Sequence, residues 1–179
     1  MFRPLTCAIV APLLISLAAC ATKPPPAAMQ AQSDHAPAVA DVPAPSSDDL
    51  PRQAPGIAIM QQRLAAEAGD RVYFALDRHD LSEDAMNVLK AQARWLAQNS
   101  QVRVLVAGNC DERGTREYNF ALGARRAAAA RDFLVAQGVA PSRIETVSYG
   151  KERPINAGTN EAAWSRNRNA NTVIVDLGT

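Results

Sequence analysis

The sequence predicts an α/β fold, an α+β sandwich in which helices pack on one mixed four-stranded sheet. After a short helix that begins at residue 57, segments with the strand period of two alternate with segments of helical period, in the order β-α-β-α-β-α-β. Glycines and helix-capping side chains separate these segments. The chain of 179 residues is 47% hydrophobic but only 5% aromatic, so it has room for one small domain with alanine-rich helices and for extensions.

The first half of the predicted domain contains two helices and two strands. Apolar residues at helical spacing predict a short helix over 57–68, and alternation predicts a strand over 71–76. Ser82 is a suitable N-cap for a helix that ends near Gln98, because acidic residues follow it in the first turn, where the helix dipole favours them. The strand predicted over 102–108 is apolar on both faces, which indicates a central position in the sheet.

The second half of the predicted domain begins with a long helix over 116–137, which Thr115 can cap and Gly138 can end. A strand over 144–149, a short helix that Asn160 can cap and that runs through Arg168, and a last strand over 172–177 follow. The side chains predicted to form the core stripe of the long helix are Tyr118, Leu122, Ala129 and Phe133. The aromatic residues expected to lie in the core rather than to stack on a ligand are Tyr118 and Trp164.

The N-terminus has the layout of a secretory signal over 1–19, with basic Arg3, an apolar run over 5–17 and small residues before Cys20. The ending Leu-Ala-Ala-Cys resembles a bacterial lipobox, in which the cysteine is acylated and becomes the new N-terminus. The apolar run is short for a bilayer span, and two acyl attachments give stable anchoring where one chain is marginal. Ala21 rather than aspartate after the cysteine favours the outer membrane by the same resemblance. An ordinary signal peptide or a single membrane anchor is the alternative.

Residues 20–56 are predicted to be a lipidated N-terminus followed by a disordered linker. The segment is rich in Pro, Ala, Ser and Asp and has too few large apolar groups to offset the entropy of ordering. In extended polyproline form such a linker reaches on the order of 100 Å. The globular domain is therefore expected over 57–179, and binding of a proline-recognition module is the weaker interpretation of the linker.

Composition argues against several classes of function. A formal net charge of +1 gives no electrostatic case for nucleic acid. Neither G-x-G-x-x-G nor a P-loop pattern occurs in the polar loop after the buried strand, so no nucleotide cofactor is expected. Cys110, His35 and His79 make a poor metal set. A cysteine nucleophile is conceivable at Cys110, but no sequence signature connects it with either histidine, and the chain is not expected to be an enzyme.

Four segments carry a resemblance to a known family: GNCDERGTREYN, ALGARRA, PSRIETVSYGKERP and NEAAWSRNR. They are similar to the peptidoglycan-associated lipoprotein family and, more broadly, to the C-terminal domain of outer-membrane protein A. The resemblance covers about 70–177, together with the layout of lipobox and linker. It implies an outer-membrane lipoprotein whose OmpA-like domain lies in the periplasm.

The resemblance also implies a role and partners. The domain is expected to bind peptidoglycan non-covalently through the diaminopimelate stem peptide and to tether the outer membrane to the cell wall. TolB-like and other Tol-system periplasmic proteins are the implied partners, in support of envelope integrity and of outer-membrane constriction at division. A generic OmpA-like wall anchor of another envelope complex, without Tol partners, is the alternative.

The candidate site lies in the loop and helix that follow the buried strand. Asp111 comes at the carboxyl end of that strand, the usual crevice position in open α/β sheets. By the family motif, Asp111 binds the ammonium and Arg126 the carboxylate of diaminopimelate, the latter as a bidentate fork. Asp77 matches another residue of the same cleft, while Asn119 and Leu122 share the helix face of Arg126. The plainer alternatives are that Asp111 and Arg126 merely pair with each other or that the arginine is solvated.

Three positions depart from the family pattern. The first strand ends in Leu76 before Asp77, where an aromatic residue is usual, and Asn109 stands in the loop where many members have histidine. Asn169 replaces the second arginine of the C-terminal motif. The first change is expected to weaken packing against a ligand, and the last puts the contribution of the C-terminal motif in doubt.

Overall fold

The computed structural model describes residues 55–178. The predicted signal peptide, the predicted lipidation site Cys20 and nearly all of the predicted linker lie outside the described residues. The elements within 55–178 are, in chain order, α1 (Pro55–Glu67), β1 (Arg71–Tyr73), α2 (Glu83–Gln98), β2 (Arg103–Asn109), α3 (Arg116–Ala136), β3 (Ile144–Gly150), α4 (Glu161–Asn167) and β4 (Asn169–Asp176). None of these helices is both long and apolar enough to span a bilayer.

The described strands form one four-stranded sheet in the order β1-β4-β2-β3. Strand β2 runs parallel to β3, whereas β4 is antiparallel to both β1 and β2. The mixed sheet with helices packed on it confirms the predicted fold class. Helix α1 corresponds to the helix predicted over 57–68, which comes before the first strand. The interior position of β2, whose Val104 and Val106 are fully buried, confirms the inference from its two apolar faces.

The end of β1 and the start of β4 differ from the predictions. Strand β1 ends at Tyr73 rather than residue 76, because the chain turns away at Asp77, the one non-glycine residue of the described range with a positive φ, of 57°. Leu76 is therefore not on the strand and is 56% exposed. Strand β4 begins three residues earlier than predicted, because Asn169 pairs with Tyr73 across the sheet. Pairing between distant segments, rather than local alternation, sets both ends.

Helices α1 and α2 follow the predictions closely. Ser82 caps α2, its side chain accepting a hydrogen bond from the backbone N–H of Ala85. Leu64 of α1 is fully buried in the core. Gln61 of α1 also completes the edge of β4 where it extends past the first residue of β1, since its amide donates to the carbonyl of Thr172 and accepts from the N–H of Ile174. The short helix α1 thus substitutes for a longer edge strand.

Of the four residues predicted for the core stripe of α3, only Leu122 is buried. Thr115 caps the helix and Gly138 follows it with a φ of 97°, as expected. Tyr118, however, is 46% exposed, and Phe133 is only partly buried. The residues that α3 buries are Asn119, Leu122, Gly123, Arg126, Ala127, Ala130 and Leu134. The apolar pattern was misleading here, because this face packs small and polar side chains closely against the strand ends.

Candidate functional site

An open cleft of about 200 Å³ lies at one end of the sheet. Strands β1, β2 and β3 all run toward that end, and the turn after β1, the loop between β2 and α3, and the end of α4 surround it. All five predicted binding residues line the cleft: Asp77, Asp111, Asn119, Leu122 and Arg126. The other lining residues include Leu76, Cys110, Arg113, Tyr118 and Arg168.

Asp111 is a buried carboxylate held by two arginines. Its side chain is 6% exposed. Arg113 donates from Nε to Oδ1 at 3.2 Å and from an Nη to Oδ2 at 2.7 Å, and Arg168 donates to Oδ2 at 3.1 Å. Burial alone would raise the pKa of Asp111, but the hydrogen bonds from Arg113 and Arg168 outweigh it and hold the pKa below its usual value. The Asp111 carboxylate is therefore ionised at neutral pH.

Arg126 is fully buried, and backbone carbonyls take most of its donors. The guanidinium donates to the carbonyls of Arg78 at 2.8 Å, Asn109 at 2.8 Å and Ala75 at 3.2 Å. A fourth contact joins it to Cys110 Sγ at 3.4 Å. Burial lowers the pKa of Arg126. Contrary to the expectation from sequence, this arginine does not present a free bidentate fork to the cleft.

The alternative in which Asp111 and Arg126 merely pair with each other is also wrong. Asp111 forms its ion pairs with Arg113 and Arg168. The positive charge of Arg126 instead tethers the turn after β1 to the end of β2, since its carbonyl partners come from both segments. Arg126 thus stabilises the backbone of the cleft wall and also contributes positive potential to the cleft.

Asp77 and Tyr118 form the outer edge of the cleft. The left-handed backbone conformation of Asp77 turns the chain, and its carboxylate accepts a hydrogen bond from the hydroxyl of Tyr118 on α3. This contact raises the pKa of the Tyr118 phenol. Both side chains are exposed. The expectation that Tyr118 is a core residue is therefore wrong.

Asn119 and Leu122 shape the inner wall. The amide of Asn119 donates to the carbonyl of Arg113 at 2.7 Å and to that of Thr115 at 3.0 Å, which fixes the loop on the first turn of α3. Leu122 is buried and gives the cleft an apolar side. Asn119 therefore acts on the shape of the site through the loop.

Two further contacts hold the same loop from outside. Lys151 donates to the carbonyls of Glu112 at 3.2 Å and Gly114 at 2.7 Å. The indole N–H of Trp164 donates to the carboxylate of Glu112 at 3.0 Å, while the guanidinium of Arg113 lies over the Trp164 ring, 4.1 Å from its centroid. Trp164 is only partly buried, so its predicted core role is wrong too.

Arg113 and Arg168 are the charged residues of the cleft that the assignment from sequence missed. Arg168 is buried and donates to Asp111, to Glu161 at 2.6 Å and to the carbonyl of Phe74. It is the first arginine of the C-terminal motif, whose contribution had been placed in doubt by Asn169. Asn169 and Asn109, two of the positions that depart from the family pattern, contact each other. Both are buried, and their side chains hydrogen-bond at 3.0 Å.

Cys110 is a buried thiol beside Arg126. It donates to the carbonyl of Asn119 at 3.3 Å. Burial is the largest influence on this group, and it raises the pKa of the thiol despite the neighbouring guanidinium. The protonated form is therefore favoured. Among residues 55–178, no three His, Cys, Asp or Glu side chains lie together as a metal site requires.

Comparison with known proteins places the domain. The model of the OmpA family matches residues 73–168. The peptidoglycan-associated lipoprotein of Mesorhizobium japonicum is 52% identical over 117 residues, which are 65% of this chain and 70% of that protein. That of Rhizobium meliloti is 43% identical over 141 residues, covering 74% of this chain and 80% of the relative.

Solved structures agree with this placement. The crystal structure of the peptidoglycan-associated lipoprotein from Burkholderia pseudomallei superposes with a TM-score of 0.58 at 42% identity, covering 59% of this chain and 90% of that one. The C-terminal domain of Helicobacter pylori MotB shares the fold at 21% identity, with a TM-score of 0.56 over 59% of this chain and 84% of that one. The chain therefore belongs to the OmpA family, within its group of peptidoglycan-associated lipoproteins.

Proposed function

We propose that the chain binds peptidoglycan non-covalently and tethers the outer membrane to the cell wall. The observation that carries the proposal is the cleft, which two carboxylates and several arginines line together. The side chain of diaminopimelate ends in an ammonium and a carboxylate on one carbon, so a protein that binds it needs both charges within a few ångströms. The relatives compared above are named for their association with peptidoglycan, which supports peptidoglycan as the ligand.

Each predicted residue has a role in this proposal. The ligand ammonium binds between Asp111 and Asp77, and its carboxylate faces the positive potential of Arg126. Asn119 holds the loop, and Leu122 contacts the aliphatic part of the diaminopimelate side chain. The open mouth of the cleft admits the end of a stem peptide while the glycan chain stays outside.

Binding of a synthetic stem tripeptide, L-Ala-γ-D-Glu-meso-diaminopimelate, tests the assignment by calorimetry. Asp77→Asn and Asp111→Asn should each weaken binding roughly tenfold or more, because a charge-assisted hydrogen bond to the ammonium is replaced by a neutral one. Asp132→Asn, at an exposed carboxylate far along α3, is the matched control. If both cleft variants bound the tripeptide like the wild type, the site assignment would be wrong.

The membrane attachment that we propose depends on acylation of Cys20. Cys20→Ser should move the protein from the outer-membrane fraction to the soluble periplasmic fraction, because the anchoring acyl chains are lost. Fractionation followed by immunoblotting measures the change. Unchanged retention in the membrane fraction would contradict lipidation at this residue.

Partnership with the Tol system, and through it a part in outer-membrane constriction at division, belongs to the same proposal. A pull-down with the TolB-like periplasmic propeller protein should retain the full-length chain. Failure to bind, together with normal binding of the stem tripeptide, would favour the alternative of a wall anchor in another envelope complex.

We propose no catalytic role. The Cys110 thiol is buried, and its polar contacts are a carbonyl and an arginine rather than a general base. Incubation with purified peptidoglycan should therefore release no soluble fragments, as chromatography of the supernatant would show. Release of muropeptides by the wild type but not by Cys110→Ala would contradict this statement.

A further inference from the structure

Arg113 is the one cleft arginine that combines exposure with an ion pair in the cleft. Its side chain is 35% exposed, compared with 7% for Arg168. It lines the cleft and grips both oxygens of Asp111. Any cation that reaches Asp111 from solvent must therefore compete with the Arg113 guanidinium.

The neighbouring arginines have little hydrogen-bonding capacity left for a ligand carboxylate. A guanidinium has five N–H donors. Arg126 uses four of them on three carbonyls and on Cys110 Sγ. Arg168 divides its donors among Phe74, Asp111 and Glu161. A carboxylate that enters the cleft can thus obtain a two-pronged hydrogen bond only from an arginine that gives up its present partner.

The Arg113 side chain can leave Asp111 without disturbing the loop. The loop backbone is held separately by hydrogen bonds from Asn119 and Lys151, and Trp164 holds the side chain of Glu112. Arg168 continues to pair with Asp111 when Arg113 departs. The exposed carboxylate of Glu161 lies 3.8 Å from Arg113, and the Trp164 ring stacks on the guanidinium. A displaced Arg113 side chain therefore keeps an ion pair and a cation–π contact.

We propose that Arg113 is the specificity-determining residue of the cleft, and that the zwitterionic end of the stem peptide inserts between Arg113 and Asp111. The ligand ammonium takes the place of the guanidinium on Asp111, and the ligand carboxylate is bound by the fork of Arg113. Every charge remains paired through this exchange. A ligand with an ammonium but no carboxylate breaks the ion pair without replacing it, and so binds weakly. This inference rests on the proposed binding of peptidoglycan.

Calorimetry with the full-length protein in detergent tests the exchange. The probes are the tripeptide L-Ala-γ-D-Glu-meso-diaminopimelate, the same peptide amidated at the side-chain carboxyl group, and the peptide with lysine in place of diaminopimelate. The wild type should prefer the free acid over both analogues by roughly tenfold to a hundredfold, the range expected for charge-assisted hydrogen bonds. Arg113→Gln should lose most of this preference and bind the lysine peptide at least as well as the wild type does.

Two further variants complete the experiment. Arg113→Lys keeps the charge without the planar fork and should retain only part of the preference. Arg116→Gln removes an exposed arginine that pairs with Glu152 outside the cleft and should behave like the wild type. Full preference for the free acid in both Arg113 variants would overturn the exchange and leave the carboxylate to Arg126. If the wild type bound none of the three peptides, the proposed function itself would fail.

Discussion

The charged side chains of the cleft differ in how firmly each one is held. Asp111 and Arg168 form a buried pair, and Arg126 is tied to three carbonyls. Asp77 and Arg113 are more accessible and have fewer backbone contacts. The firmly held groups set the shape and potential of the site, and the accessible ones are free to exchange partners with a ligand. Substitutions of the firmly held groups should therefore lower the stability of the fold, whereas substitutions of the accessible groups should mainly weaken ligand binding.

Arg126→Ala should damage the fold before it damages recognition. Removing the guanidinium leaves carbonyls of the turn after β1 and of β2 without a donor, which should lower the free energy of unfolding by about 3 kcal/mol or more. Urea denaturation measures the loss. Arg125→Ala, at the exposed neighbour, should change stability by less than about 0.5 kcal/mol. Equal stability of the two variants would show that the hydrogen bonds of Arg126 to these carbonyls do not stabilise the fold.

The Asp111 carboxylate should make stability depend on acidity. Its pKa in the folded protein is lower than in the unfolded chain, where it is about 3.9. Its stabilising contribution is therefore complete above about pH 4 and disappears as the pH falls through the folded-state pKa. Urea denaturation of the wild type and Asp111→Asn from pH 7 to pH 2 should give curves that converge at low pH. A constant difference in unfolding free energy across that range would contradict the assignment.

Among the elements, α3 is seated on the sheet through glycines. Gly108 on β2 and Gly123 on α3 lie so close that a Cβ on Gly108 would clash with the Gly123 carbonyl group and meet the backbone N of Ala127 at 3.1 Å. A Cβ on Gly123 would in turn collide with Ser148 Oγ of β3. The helix approaches the strand ends closely enough to place its Asn119 and Arg126 side chains at the cleft because neither glycine carries a side chain.

Gly108→Ala should therefore be strongly destabilising. The clash is with backbone, which cannot move aside as a flexible side chain can, so we expect a loss of at least about 3 kcal/mol in unfolding free energy. Gly56→Ala is the control, since its new Cβ would meet only the end of the Leu177 side chain at 3.3 Å. Thermal melts of both variants test the contrast. A Gly108→Ala protein as stable as Gly56→Ala would mean that α3 can shift outward freely.

On the scale of the whole molecule, the sheet order gathers the site from distant parts of the sequence. Strands β1 and β2 both run antiparallel to β4, so their carboxyl ends meet beside the start of β4. Asp77 follows β1, Asp111 follows β2 and Arg168 precedes β4, so the three side chains line one cleft. The binding residues are set by topology, on a scaffold whose described core lies entirely between Ile57 and Leu177.

A chain of residues 55–179 should accordingly fold by itself. All the buried apolar residues of the described core belong to this range, so removing the first 54 residues removes none of them. The midpoint and slope of urea denaturation should match those of the full-length protein in the same detergent. A decrease in unfolding free energy of more than about 1 kcal/mol would show that the N-terminal segment contributes to the stability of the domain.

The sequence by itself determined the features that depend on neighbouring residues. Ser82, Thr115 and Asn160 were identified as helix caps because a cap bonds to a backbone N–H three residues away. The central position of β2 followed from apolar residues on both of its faces. The family motifs also brought together five residues that do line one cleft.

Only the tertiary structure decided how those residues are used. Arg126 meets carbonyls 48 and 51 positions away, and Arg168 meets Asp111 at a separation of 57 residues, so neither partnership has a local sequence pattern. The buried face of α3 was mispredicted because glycine and arginine are not apolar, yet close backbone approach and satisfied hydrogen bonds bury both. The strand order decides which chain segments meet at the end of the sheet, and therefore which acceptors a buried arginine can reach.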